Sequence, residues 1–310
     1  MDILRVVILV GYGVCVAQGI ISLTTKRSLF NRTALVALGI AFGAQTGWLV
    51  HRGLATGRCP VVGGQEMSAF LSWSLVVCYV VAQRWYRTAA LHAFVFPIVF
   101  VLATIASLGP SAPATPQDIS EPLARFILPI HAGLIMLAYA AFFISFGAGV
   151  MYIIQERELR NKRFGTVFYK LPSLETCDSI SFKSVAVGFI LLTLGVAAGI
   201  VWSHARDGVY WHGAPIELFS VVTWIIYLII IQSRLSAGWG GRNAAVATII
   251  GFVLVLASLA GFRYLDTLHP VGMFSGCNVQ PTCNLQSFLP GEECPDSAGR
   301  PGSPIPARNQ

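Results

Sequence analysis

Six histidines are the residues of this chain best suited to bind a metal or a haem, and five of them fall toward one face of the predicted helices. Those five are His51, His131, His204, His212 and His269. His92 alone falls toward the opposite face. A neutral imidazole donates a lone pair to a metal ion or to haem iron. The alternative for each residue is an interface histidine whose ring stays hydrated.

The segments that would position these histidines are predicted to be membrane helices. Hydrophobic residues make up 55% of the 310 residues and charged residues only 11%, whereas soluble domains have about 25% charged residues. Apolar blocks of roughly 20 residues, enough to cross a bilayer, recur along the chain. We predict an all-α integral membrane protein with eight transmembrane helices at 3–23, 33–51, 67–83, 88–108, 126–155, 184–204, 217–236 and 243–264. The fifth is longer than a bilayer requires.

The distribution of lysine and arginine predicts the orientation of these helices. Thirteen basic residues fall in connections on one side, among them Lys26, Arg27 and the cluster within 157–163, and eight fall on the other. Cytoplasmic loops are the basic ones. We therefore expect both termini on the non-cytoplasmic side of the cell membrane, with an uncleaved first helix. The net charge of +7 is then a property of the loops and does not predict nucleic-acid binding.

The chain divides into two predicted regions. Residues 1–265 form the polytopic transmembrane domain, and 266–310 form an extracytoplasmic, partly disordered tail rich in Gly, Pro and Ser. Four cysteines would lie outside, namely Cys59, Cys277, Cys283 and Cys294. That compartment permits disulfides, but the spacing does not determine which cysteines pair. A metal site is the less favoured alternative, because no two of these cysteines form a Cys-x-x-Cys pair.

The segment after the sixth predicted helix concentrates aromatic and polar residues at the outer face. Trp202, Tyr210, Trp211 and Phe219 offer flat apolar rings, which stack at low entropic cost. Arg125 and Arg206 are candidates to pair with carboxylates, or are solvated helix ends. Glu217 begins a span, where it is either a helix cap or a functional group. No spacing of Ser, His and Asp indicates a catalytic triad, so the residues predict no catalytic group.

These residues, with others, resemble the cytochrome c assembly family, which includes CcsA, ResC, CcmC and HemX. The resemblance covers most of 50–270 and is strongest over 171–269. It is carried by Gly57-Arg-Cys-Pro60, Glu66, His131, Tyr139, Tyr210-Trp211, Pro215, Glu217, Thr223-Trp224, Tyr227, Arg234, Gly238-Trp239, Gly251-Phe252 and Leu268-His269. The family's second loop tryptophan, aspartate and lysine are replaced here by Gly213, Ala214 and Ile216, and Gln232 replaces a frequent histidine.

The resemblance implies a haem b site at the outer face and delivery of haem to apocytochrome c. His131 and His269 would ligate the iron, with Trp202, Tyr210, Trp211, His212 and Glu217 around the porphyrin. Expected partners are apocytochrome c and membrane proteins of a cytochrome assembly or respiratory complex. The departures favour a haem-binding or chaperone component over a complete haem lyase. Two alternatives stay open: a diverged fixed subunit that holds haem or acts as a scaffold, and a HemX-like regulator of haem synthesis.

Overall fold

A computed structural model describes residues 2–24, 29–56, 64–109, 122–162, 170–213 and 215–268. Every regular element in these ranges is an α-helix. The eight helices are α1 (Asp2–Thr24), α2 (Leu29–Thr56), α3 (Gly64–Tyr86), α4 (Ala89–Leu108), α5 (Pro122–Arg160), α6 (Leu174–Asp207), α7 (Pro215–Leu235) and α8 (Gly241–Leu268). The contacts separate a compact unit ending at Arg263 from a second that begins at Tyr264.

Seven of the helices, α1 to α7, are long and apolar enough to cross a membrane. In α8 the described apolar stretch is Gly241–Ala257. Large aliphatic side chains such as Leu35, Ile40 and Ile229 are exposed along the helices, as expected for surfaces that face lipid. The prediction of an all-α membrane bundle with eight helices is confirmed.

The first four helices form a ring around a partly polar core. α1 packs against α2 and α4, and α3 packs against α4 and α2. Gln45 lies at the centre, where its carbonyl oxygen accepts a hydrogen bond from the Tyr12 hydroxyl and its amide donates to the Ala69 carbonyl at 2.8 Å and to the Ser72 hydroxyl. Interhelical hydrogen bonds of this kind join membrane helices because no water competes for the polar groups.

The longest two helices, α5 and α6, pack closely along a line of glycines that we call the glycine seam: Gly188, Gly195 and Gly199. A Cβ atom on Gly188 would lie 2.6 Å from the Phe142 ring, and one on Gly195 would lie 2.7 Å from Ile135. Small residues allow two membrane helices to approach closely enough for extensive van der Waals contact. The seam therefore fixes α6 against α5.

Contacts at the helix termini define two ends of the bundle. At one end, Arg234 of α7 pairs with Asp178 of α6 at 2.7 Å, and Arg242 of α8 lies 3.6 Å from Glu156 of α5. We call this the basic end; its described basic residues are Arg84, Arg87, Arg157, Arg160, Lys162, Lys170, Lys183, Arg234 and Arg242. Because successive crossing helices reverse direction, the start of α1 and the loop 208–213 lie at the opposite end, the loop end.

Most of the helices are longer than their predicted spans, and α6 exceeds its span the most. α5 has 39 residues, about 58 Å at 1.5 Å per residue, which confirms that it exceeds a bilayer. α6 begins at Leu174, ten residues before the predicted start, because Ser173 caps it by accepting a hydrogen bond from the Thr176 amide. The polar residues that obscured this first segment have partners: Asp178 pairs with Arg234, and Lys183 lies 5.5 Å from the centre of the Tyr86 ring.

Candidate functional site

The loop after α6 turns sharply on two glycines. Gly208 ends the helix at φ 72°, and its amide donates to the His204 carbonyl. Gly213 has φ 70°. Both values lie in the left-handed region, where a side chain is strained. The glycine that replaces the family's second loop tryptophan is therefore suited to the backbone of this loop, and Trp or another L-residue there would be strained.

His212 is tied to the start of α7 by Glu217. The His212 amide donates to Glu217 Oε2 at 2.9 Å, and His212 Nδ1 lies 3.3 Å from Oε1. Ser203 is also close to His212 Nδ1, at 3.0 Å, while its hydroxyl donates to the Val209 carbonyl. Since a carboxylate only accepts hydrogen bonds, Nδ1 is the donating nitrogen. Glu217 thus closes the loop between α6 and α7.

Two ring contacts order the remaining side chains of the loop. His204 stacks on Tyr210 with ring centres 4.1 Å apart and an angle of 14°, and the Arg206 guanidinium lies 4.4 Å from the centre of the Trp202 ring. Tyr210 is 60% exposed and Trp211 48% exposed. The sequence prediction did not include His204 in the aromatic group; its position six residues before Tyr210, across a helix end at Gly208, was the available signal.

His131 lies deeper in the bundle than the sequence predicted. α5 begins at Pro122, so His131 is nine residues along it, about 14 Å from its start. Its Nδ1 lies 2.7 Å from the Gly195 carbonyl. A carbonyl only accepts, so Nδ1 donates and Nε2 carries the lone pair. Nε2 has no hydrogen-bond partner within the described part of the chain.

Gly199 provides the space that this imidazole occupies. A Cβ atom there would lie 2.7 Å from His131 Cε1 and 2.8 Å from Nδ1. The ring is thus oriented by a backbone carbonyl and confined by a glycine of the neighbouring helix. Metal-binding histidines are typically oriented by a hydrogen bond from the other ring nitrogen, and His131 has that arrangement.

Comparison with known proteins gives the family. The family model described as cytochrome C assembly protein matches residues 62–269. The chain belongs to the cytochrome c assembly protein family. It is 30% identical over 289 residues to the cytochrome c biogenesis protein CcsA of Synechococcus sp. (strain CC9311), covering 81% of this chain and 92% of the relative.

Two further relatives agree with this membership. The CcsA protein of Parasynechococcus marenigrum (strain WH8102) is 27% identical over 270 residues, or 79% of this chain and 88% of the relative. That of Prochlorococcus marinus subsp. pastoris (strain CCMP1986 / NIES-2087 / MED4) is 27% identical over 279 residues, or 83% and 88%. The predicted resemblance is confirmed, and membership supports a role in cytochrome c assembly for this integral membrane protein.

The predicted site residues of this cytochrome c assembly protein fall into two groups. The loop group contains Trp202, Tyr210, Trp211, His212 and Glu217. His131 forms the second group: it lies on α5 and contacts Gly195 and Gly199 of α6. His269, the four outer cysteines and the side chain of Arg125 lie outside the described residues. Within the described ranges no three His, Cys, Asp or Glu side chains form a metal cluster.

The described donor set fits a haem better than a bare metal ion. One oriented imidazole with an available lone pair could hold haem iron. The exposed Tyr210 and Trp211 rings offer flat apolar surface of the kind that stacks on a porphyrin. A bare metal ion would need several ligands converging on one point.

Proposed function

We propose that the protein binds haem b at the loop end and helps to deliver it to apocytochrome c. The observation that supports this most directly is His131, whose Nδ1 donates to the Gly195 carbonyl and whose Nε2 carries the lone pair. The family membership supplies the pathway, because the relatives are named cytochrome c biogenesis proteins. Expected partners are apocytochrome c and other membrane proteins of an assembly complex.

Each group of residues has a distinct part in this proposal. His131, through its Nε2 lone pair, and His269 would hold the haem iron. Tyr210, Trp211 and Trp202 give aromatic surface to the porphyrin, while the contacts of His212 with Glu217 and Ser203 keep the loop folded. When bound, the haem supplies an iron centre and the vinyl groups to which cytochrome thiols attach. The chain itself would position the cofactor at the loop end.

The orientation follows from the charges. The basic end carries nine of the described basic residues, and cytoplasmic surfaces of membrane proteins are basic. We place that end in the cytoplasm and the loop end outside the cell membrane. The tail 266–310 and its cysteines then lie on the side where apocytochrome c would receive haem.

The test is the absorption spectrum of the protein purified in mild detergent, oxidised and reduced. Wild type should show a reduced b-type spectrum, lost or shifted in His131→Ala and in His269→Ala. His51→Ala is the matched control, since His51 is an exposed histidine of α2, and should keep the wild-type spectrum. An unchanged spectrum in a folded His131→Ala protein would exclude this residue as a ligand.

A fixed subunit that retains its haem is the second candidate function. The loop favours it, because Gly213 replaces an aromatic ring of the family pattern and Glu217 closes the loop on His212. Deletion separates the two: an assembly protein predicts loss of c-type cytochromes in a haem stain. Normal c-type cytochromes together with stable co-purification in a larger complex would favour the fixed subunit instead. A folded wild-type protein without haem would favour a scaffold.

A further inference from the structure

A cavity lies inside the α1–α4 ring, away from His131 and the loop. It is lined by Arg5 and Ile8 of α1, Gln45 and Trp48 of α2, Ala69 of α3, and Ala103, Ala106 and Ser107 of α4. The cavity is narrow, with room for about one water molecule, and it opens to the surface. The lining residues come from the starts of α1 and α3 and the last turns of α2 and α4, so the cavity is at the loop end.

Two buried donors on this cavity have no acceptor. Trp48 is 4% exposed, and its indole Nε1 makes no hydrogen bond; the Arg5 Nε atom is also buried without a partner. No carboxylate pairs with Arg5 in the described part of the chain, whereas the neighbouring Arg52 lies 2.9 Å from Glu66. A buried donor without an acceptor costs about 1–3 kcal/mol.

Two more polar side chains, Gln45 and Ser107, line the cavity. Gln45 uses its carbonyl oxygen for Tyr12 and its amide for Ala69 and Ser72. These three hydrogen bonds fix the side chain within the core. The described hydrogen bonds thus leave the Arg5 Nε atom and the Trp48 indole N–H without an acceptor.

We propose that the mouth of this cavity binds the phosphate group of an anionic phospholipid. Phosphate oxygens only accept hydrogen bonds and pair well with a guanidinium. Arg5 is the fourth residue of α1 (Asp2–Thr24), which places it at the depth of lipid headgroups, where Trp side chains are also enriched. The apolar walls of Ile8, Ala103 and Ala106 suit the glycerol and acyl carbons better than they suit free phosphate.

The test measures the melting temperature of the delipidated full-length protein against added phosphatidylglycerol, phosphatidylcholine and inorganic phosphate. Phosphatidylglycerol should raise the melting temperature saturably, as a ligand of the folded state does. Arg5→Gln and Trp48→Phe should each weaken its apparent affinity at least tenfold. The matched controls are Arg84→Gln and Trp85→Phe, which change the same residue types at exposed positions of α3 and should leave the affinity unchanged.

The direction in which Arg5→Gln shifts the melting temperature, with and without lipid, gives a second readout. Without lipid, Arg5→Gln removes an unpaired cation and should raise the melting temperature; with phosphatidylglycerol, wild type should melt higher. Equal affinity in wild type, Arg5→Gln and Trp48→Phe would overturn the site. An equal rise with inorganic phosphate would overturn the lipid as its source, and an equal rise with phosphatidylcholine would overturn the preference for net charge. If Arg5→Gln does not fold, Trp48→Phe still tests the site, because it removes the indole N–H and keeps an aromatic side chain.

Discussion

The α1–α4 ring and the α5–α6 pair hold membrane helices together in different ways. In the ring, a buried glutamine joins α1, α2 and α3 by hydrogen bonds. In the pair, three glycines admit the side chains of the facing helix. Both solutions are expected in lipid, where burial of apolar surface gives no driving force between helices. The ring is held together by hydrogen bonds between polar groups, whereas the α5–α6 pair is held together by close packing.

Two ion pairs of the molecule also differ, in how much water reaches the acidic residue. Glu66 of the ring is fully buried beside Arg52, whose side chain is 17% exposed. Asp178, beside Arg234 at the basic end, is 29% exposed. A buried charge that loses its partner is strongly destabilising, whereas an exposed one is solvated. The ring should therefore be the region more sensitive to loss of a charge.

The largest expected effect comes from removing Arg52. Arg52→Gln leaves the buried Glu66 carboxylate without its guanidinium, which should cost about 3–5 kcal/mol of unfolding free energy. Arg234→Gln, the matched change at the basic end, should cost clearly less because water reaches Asp178. Unfolding in a mixed-detergent titration measures both. Equal losses, or an Arg52→Gln/Glu66→Gln protein no more stable than Arg52→Gln, would contradict this comparison.

A glycine substitution tests the shape of the α5–α6 contact. Gly188→Ala places a methyl group 2.6 Å from the Phe142 ring and 3.3 Å from the Ala138 carbonyl oxygen, and overpacking of this kind costs about 1–3 kcal/mol. Gly43→Ala in α2 is the control, because nothing lies within 4 Å of a Cβ atom there. It should stabilise by up to about 1 kcal/mol through helix propensity. The two changes should have opposite signs in the same titration.

The sequence predicted the helices well because long apolar blocks have few possible structures in lipid. It missed the first ten residues of α6, where Asp178 and Lys183 lowered the hydropathy although both have partners on other helices. It also missed the role of Gly195 and Gly199 around His131, since the facing residues are about 64 positions apart in the chain. The loop residues were grouped from their proximity in sequence, whereas the contacts of Ser203 with His212 and of His204 with Tyr210 were found only in the folded structure.

Breaking the polar core of the ring should have an effect of similar size to the glycine change. Gln45→Leu keeps the volume but leaves the Tyr12 hydroxyl without its acceptor, at a cost of about 1–3 kcal/mol. It also removes the donor to the Ser72 hydroxyl, which still donates to the Ala69 carbonyl at 2.9 Å. Ser145→Ala is the counterpart in the α5–α6 pair, where the hydroxyl donates to the Ser181 carbonyl at 3.0 Å. This change should cost about 0.5–1.5 kcal/mol. A larger loss of stability for Ser145→Ala than for Gln45→Leu would contradict the comparison. It would show that side-chain hydrogen bonds contribute more to the α5–α6 pair than to the ring.

The smallest effect on stability, and the one that separates stability from function, is expected in the loop. Glu217→Ala removes the acceptor of the His212 amide at 2.9 Å, but the side chain is 23% exposed, so unfolding should change by less than about 1.5 kcal/mol. Hydrogen exchange should nevertheless rise across 208–213, because Glu217 closes that loop. Haem retention should fall with it, since Tyr210 and Trp211 lose their fixed positions. Glu175→Ala, an exposed acidic change in the first turn of α6, should alter neither; a loop that stays protected without Glu217 would show that Gly208, Gly213 and the ring stacking alone determine its fold.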